Sequence, residues 1–293
     1  MIDKITPRPS DAIAADLEAL GVENMAPVIT SKRTYIAPFI NAEQPQYLVI
    51  EDRFPNGRPE LEKGFGVYLA DRATVNLSER MKVTACLNPV HSATGPVGVV
   101  LGEELYAKML NTNPDMMKMA RMVAYDEGLP MVEDPRILSP RRSPTNSSPI
   151  ASRMSILAIR ICGLPPIRHR RRCPLRRDNQ SLHEKYGSAE RLTAIPLGIA
   201  GWLRYMLGVD DMGNTYELAP DPMVPEIQTA LSSVVFGNPE SLTDQLHPIL
   251  SNEKVFFIDL YKAGLGEKIE GMFREMIAGK GSTKATIHKY MNL

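Results

Sequence analysis

Apolar residues recur at intervals of three and four along much of the chain, the spacing of helices with one buried face. Residues 267–278 show it most cleanly, with Ile269, Phe273, Met276 and Ile277 inward and Gly279 as the stop. Residues 101–126 form two helical stretches separated at Asn113-Pro114, and Leu105, Met109, Met116, Met119 and Val123 share a candidate buried face. Such a methionine stripe reads as core before it reads as a binding groove. Residues 189–207, capped by Ser188 and ending at Gly208, are apolar on nearly every side, which predicts a central helix. Further helices are expected over 221–236, 241–250 and 253–263, and a short one over 10–20. Residues 46–51 suggest a short strand, and 67–100 a partly helical stretch broken around Pro89 and Pro96. There is no internal repeat, so the pattern predicts a mainly α protein.

Composition narrows the class. Length 293 allows one large or two ordinary domains, and 43% apolar content is ordinary for a globular chain. No apolar run suits a membrane span, and Met1 is followed almost at once by Asp3 and Lys4 rather than by an apolar leader. Cys86, Cys162 and Cys173 have neither metal-ligand spacing nor a disulfide framework. The expectation is a reduced, cytoplasmic protein with no metal and no membrane partner.

The chemistry concentrates in Glu79-Arg-Met-Lys82-Val-Thr-Ala-Cys-Leu-Asn88-Pro-Val-His91, where an acid, an amine, a carboxamide and an imidazole lie close together. A desolvated lysine of lowered pKa can take the proton of a carbinol. An Asn amide can donate to the oxyanion that develops, and a His can hold the neighbouring hydroxyl. The plain alternative is a helix with ordinary surface Lys and Glu and a His91 satisfied in the core.

Four segments in order decide between these: Met1-Ile-Asp-Lys-Ile-Thr-Pro7, Val49-Ile-Glu-Asp-Arg-Phe-Pro55, residues 82–91, and Arg191-Leu-Thr-Ala-Ile-Pro-Leu-Gly-Ile-Ala-Gly-Trp-Leu-Arg204. Together they resemble the mannitol dehydrogenase family of long-chain polyol and sugar-acid dehydrogenases, which includes mannitol 2-dehydrogenase and the fructuronate and tagaturonate reductases. The resemblance implies Lys82 as general base, Asn88 and His91 on the reacting oxygens, and Glu79 in proton release. Asp3 would lie near substrate or cofactor. One departure stands out. Five residues separate Lys82 from Asn88 where the family pattern has four, and on a helix one residue turns a side chain by about 100°. Either this branch has a local geometry of its own, with Pro89 after the Asn, or the Lys82 assignment weakens.

The resemblance further implies NAD or NADP as cofactor and a small polyol or sugar acid as substrate. Its fold would be a helical C-terminal domain resembling that of 6-phosphogluconate dehydrogenase, over 28–293, preceded by the end of a dinucleotide-binding Rossmann domain over 1–27. No Gly-x-Gly-x-x-Gly occurs; Gly64-Phe-Gly66 and Gly264-Leu-Gly266 both lack the third glycine, so no cofactor-binding residue is assigned. The chain thus reads as a truncated enzyme, inactive by itself. Leu87-Asn-Pro-Val-His91 replaces the Asn-Gly-Ser-His of mannitol enzymes and leans towards sugar acids, with a uronate reductase as one alternative. A non-enzymatic helical interaction module is the alternative from another class.

Charge is balanced overall but not locally. Residues 136–177 carry eleven Arg and no Lys, Asp or Glu, leaving 23 basic against 34 acidic residues elsewhere. Arg168-His-Arg-Arg-Arg172 would ordinarily suggest nucleic-acid binding. A displaced reading frame explains it better. Residues 162–171 can be encoded so that reading from the third base yields Arg-Ile-Ala-Thr-Asp-Thr-Ser-Gln-Lys, and 174–182 so that reading from the second base yields Arg-Phe-Gly-Glu-Thr-Ile-Lys-Ala. Both match segments expected of the family here. Single-base deletions near Pro140, Arg171 and Leu182 would produce both offsets, so residues 141–182 are expected to be irregular, to inherit no family role, and to imply no nucleic-acid partner.

Overall fold

The computed structural model describes residues 4–5, 11–23, 25, 28–29, 35–36, 41–42, 48–79, 88–128, 134, 136–137, 189–219, 223–256 and 258–293. Contacts group the chain into two units, Met1–Asn76 and Leu77–Leu293. The sequence reading places a domain boundary at 27/28, and the contact-based boundary falls at 76/77. The expected irregular span 141–182, and the Ser188 cap, lie outside the described residues.

Among the described residues, the first unit holds paired strands, one helix and most of a second. Strands β1 (Lys4–Ile5) and β4 (Asn41–Ala42) pair antiparallel, as do β2 (Val28–Ile29) and β3 (Tyr35–Ile36). Helix α1 (Asp11–Ala19) forms where a short helix is expected. Strands β5 (Leu48–Glu51) and β6 (Val67–Ala70) are parallel, Leu48 opposite Val67. The sequence reading placed 67–70 in a partly helical stretch. Its β-branched and aromatic residues fit a pleated surface, and the partner strand lies too far back in sequence for local pattern to reveal the pairing. Arg58 ties the intervening loop together, donating to Asp52 at 2.7 and 3.0 Å and to Glu62 at 2.7 Å. Asp71 then caps α2 (Arg72–Glu79) by accepting from the Thr74 N–H at 2.7 Å.

The second unit is helical: α3 (Asn88–Val100), α4 (Tyr106–Thr112), α5 (Pro114–Arg121), a π-helical turn (Met122–Gly128), α6 (Ala194–Tyr205), α7 (Val224–Ala230), α8 (His247–Leu250), α9 (Glu253–Phe256), α10 (Gly266–Met276) and α11 (Ser282–Met291). Every residue of α6 is buried, as its all-round apolar sequence predicts, and α3 and α10 pack along it. The α3–α6 approach needs glycine. A Cβ on Gly198 would sit 2.6 Å from the Ala93 Cβ and 2.8 Å from its Cα, and one on Gly201 would sit 2.2 Å from Val97 Cγ2. The methionine stripe is core: Met109, Met116, Met119 and Val123 are buried. Leu105 is instead 37% exposed, because it precedes α4, and Tyr106 takes the inward position. Asn113 breaks the two helices as expected, its side chain accepting from the N–H groups of Asp115 and Met116 at 3.2 Å.

Several boundaries differ from the periodicity. Pro89 falls in the first turn of α3, where its missing N–H costs nothing, and Pro96 lies within the helix without ending it. An interior proline costs about 3 kcal/mol, and the buried flanks Val90, Val97 and Val100 offset it. Helix α6 begins at Ala194 rather than 189, since residues 189–192 make a turn closed by the Leu192 N–H to the Ala189 carbonyl. Residues 231–236 leave the expected 221–236 helix because the Ser241 hydroxyl takes the Val235 N–H at 2.8 Å. Over 241–250 only α8 is α-helical. After α9 the Asp259 carboxylate accepts from the Tyr261 and Lys262 N–H groups, making a turn of the rest of 253–263. Helix α10 matches its prediction, with Ile269, Phe273, Met276 and Ile277 buried. Helix α11 is not in the sequence reading. Its N-terminus is held by Asp211, which accepts from the N–H groups of Thr283 and Lys284.

Candidate active site

The beginning of α3 carries two of the sequence-predicted positions, Asn88 and His91. Asn88 is its first residue and His91 stands one turn on, so the two positions share one side of the helix. The extra residue in the Lys82–Asn88 interval precedes α3 and does not alter the relation of Asn88 to His91. Glu79 is the half-buried last residue of α2. Lys82 and Asp3 lie outside the described residues, and of the Asn88 side chain nothing is described. The structure therefore brings Asn88 and His91 together and leaves the other predicted positions unplaced against them.

His91 is half-buried and rests on an aromatic platform. Its ring stacks on Tyr106 of α4 with centroids 4.5 Å apart and planes 20° from parallel. Tyr106 is fully buried, and its hydroxyl lies 2.6 Å from the Thr94 hydroxyl. Thr94 gives its one hydrogen to the Val90 carbonyl at 2.7 Å, so Tyr106 must donate to Thr94. Burial pushes the Tyr106 phenol well above its ordinary pKa, keeping it a neutral donor. Neither residue stands out in the sequence, because the stack joins two helices.

A second arrangement ties the start of α6 to the π-helical turn. Glu127, 7% exposed, accepts from the N–H groups of Thr193, Ala194 and Ile195, each at 2.7 Å. Those are orphan donors of the α6 N-terminus, where the helix dipole also favours an anion. Burial raises the Glu127 carboxyl above its usual pKa, against the pull of the three donors and of Lys268. Lys268 completes the clamp by donating to the carbonyls of Glu190 and Leu192. Glu127 comes from the π-helical turn, and no spacing in the sequence marks it.

Among the described residues, no group of three or more His, Cys, Asp or Glu could hold a metal, and no helix is long and apolar enough to cross a membrane. A dinucleotide does not fit the described strand–helix turn either. The turn from β6 into α2 has no glycine and carries Asp71, whose charge already occupies the helix start and would repel a phosphate.

Comparison with known proteins supplies the context. No family model matches the chain. D-mannonate oxidoreductase of Thermotoga maritima is 43% identical over 301 aligned residues, covering 99% of this chain and 54% of that protein. The chain belongs to the mannitol dehydrogenase family. Other family members include the Escherichia coli D-mannonate oxidoreductase, 31% identical over 78% of this chain and 43% of its own length. The Aspergillus niger mannitol 2-dehydrogenase is 28% identical over 90% of the chain and 51% of its own length. The chain thus spans about half the length of the curated relatives it matches. Its fold resembles Pseudomonas fluorescens mannitol 2-dehydrogenase, solved with NAD and D-mannitol (TM-score 0.61, 19% identity, 100% of this chain and 54% of that one). It also resembles a substrate-free D-sorbitol dehydrogenase (TM-score 0.63, 21% identity, 98% and 53%). The relatives are polyol and sugar-acid oxidoreductases, as the motif resemblance implies.

Proposed function

We propose that this chain is the substrate side of an NAD(P)-dependent oxidoreductase interconverting the secondary alcohol of a sugar acid and its keto form. The observation that carries the reading is the 43% identity to a D-mannonate oxidoreductase along nearly the whole chain. The placement of Asn88 and His91 one turn apart at the start of α3 supports it. Identity to the mannitol enzyme is lower, at 28%. The names of these relatives favour a sugar acid without favouring a uronate in particular.

Lys82 is assigned the role of base, taking the carbinol proton. Asn88 donates its amide to the oxygen as negative charge builds on it, and His91 holds an adjoining hydroxyl. Glu79, before Lys82, would pass the proton outward. The nicotinamide, when bound, supplies the hydride acceptor. The described residues make no phosphate cradle, so the chain by itself is expected to show neither NADH affinity nor turnover. The helical unit would be the family's C-terminal substrate domain, of the 6-phosphogluconate dehydrogenase kind.

Two measurements test this. Calorimetric titration of the chain with NADH should give no binding, and micromolar binding would reject the missing cradle. In a version completed with a family dinucleotide domain and with family sequence across 141–182, D-mannonate should be oxidised in preference to D-mannitol. There Lys82→Ala should lower turnover by about 10²–10⁴-fold, and Asn88→Ala by about 10²–10³-fold. Turnover unchanged in Lys82→Ala, but lost in the other two variants, would remove Lys82 from the mechanism.

A further inference from the structure

We propose that Tyr106 is the positioning residue for His91, with Thr94 as its anchor. The inference rests on the reading of His91 as a substrate-binding group and deepens it. A histidine that holds one hydroxyl of an open-chain substrate must present one ring nitrogen in one direction, yet an imidazole at the first turn of a helix can rotate about χ2, a broad torsion. Here the rotation is restrained from the side. The Tyr106 ring lies against the imidazole at 4.5 Å and within 20° of parallel, so turning the imidazole plane would drive its edge into the phenol ring.

The platform is itself fixed. Tyr106 opens α4, a different helix from that of His91, and its ring has 0% exposure. Its hydroxyl donates to Thr94, and Thr94 donates to the Val90 carbonyl. Val90 precedes His91, and Thr94 stands three residues after it. The chain of hydrogen bonds therefore starts beneath the imidazole and returns to the backbone turn that carries it. Because both donors have a defined acceptor, the phenol has one favoured orientation, and the imidazole stacked on it inherits that orientation. The hydroxyl fixes the platform and the ring face does the positioning, and these two contributions can be separated by substitution.

The test is imidazole relaxation in the full chain, with histidine labelled at ring carbon and the His91 signal assigned by its loss in His91→Ala. The His91 ring should be as rigid as its backbone in the wild type and in Tyr106→Phe, which keeps the stack. In Tyr106→Leu it should become mobile on the nanosecond scale and lose the upfield ring-current shift. Should Tyr106→Leu not fold, Tyr106→Met, which fills similar volume without a ring, is read by the same criterion. Tyr106→Phe should nevertheless melt below the wild type, since it strips Thr94 of its partner. A merely structural tyrosine would not separate lost stability from retained His91 order. A rigid His91 in the ring-less variant overturns the proposal, and so does a Tyr106→Phe ring as mobile as that of Tyr106→Leu. In the completed enzyme, Tyr106→Leu should raise the KM for D-mannonate about 10-fold, and Tyr106→Phe less than about 2-fold. An unchanged KM in His91→Ala would reject the substrate role of His91 while leaving the relaxation result to judge the positioning.

Discussion

Replacing Glu127 tests the clamp that ties the start of α6 to the π-helical turn. Its carboxylate accepts three backbone N–H groups at 2.7 Å, and Ala194 and Ile195, which supply two of them, are buried. Glu127→Ala leaves these donors without partners at about 1–3 kcal/mol each, and removes an anion from a helix start worth up to about 2 kcal/mol. The terms overlap, and releasing a costly buried charge returns part of the loss, so the net destabilisation expected is about 3–5 kcal/mol. For a unit of this size that lowers Tm by roughly 6–20 °C. Glu127→Gln keeps one acceptor and should cost about half as much. The pH dependence separates charge from shape. Burial holds the carboxyl above its ordinary pKa, so between the unfolded and folded values the native state binds more protons than the unfolded chain. The stability from this group is therefore present below the unfolded value and declines as pH rises through the folded one. Glu127→Gln should abolish that decline. Urea denaturation from pH 4 to 8, followed by circular dichroism, reads both effects. A loss under about 1 kcal/mol in Glu127→Ala would mean that water satisfies the α6 start and that the clamp is not what holds it.

Gly198→Ala should cost about 1–3 kcal/mol despite the better helix propensity of alanine, because its Cβ would meet the Ala93 backbone at 2.8 Å. Gly201→Ala should cost less, since it meets the Val97 Cγ2, a side-chain atom able to give; equal losses in chemical denaturation would refute this reading. Arg204 is fully buried, donates to the carbonyls of Met276, Val209 and Asp210, and lies 4.4 Å from the Phe236 ring centroid. Arg204→Met should destabilise by about 3 kcal/mol in urea denaturation, because three carbonyl acceptors lose their donor. A neutral effect would show that packing alone holds this corner.

The sequence by itself determined those features whose cause is local. The i, i+3, i+4 apolar spacing marks Ile269, Phe273 and Met276 as the buried face of α10, and Asn113-Pro114 separates two helices, the Asn113 side chain capping the second. It also carried the family, because the order of motifs survives without any knowledge of contacts. Asn88 and His91 stand close in sequence and fall one turn apart on α3, since helical neighbours three residues apart are neighbours in sequence too. Only the tertiary structure decided what depends on distant partners. Val67–Ala70 is a strand because Leu48–Glu51 lies beside it, and β pairing energy comes from a partner that no local window contains. Tyr106 looks like one more apolar position of α4 until the fold lays it under His91. Glu127 looks like a surface acid beside Asp126 until α6, which begins 67 residues later in the chain, points its unpaired N–H groups at it. A buried charge or a ring stack is stabilised by what surrounds it, and those surroundings come from the packing of helices far apart in sequence.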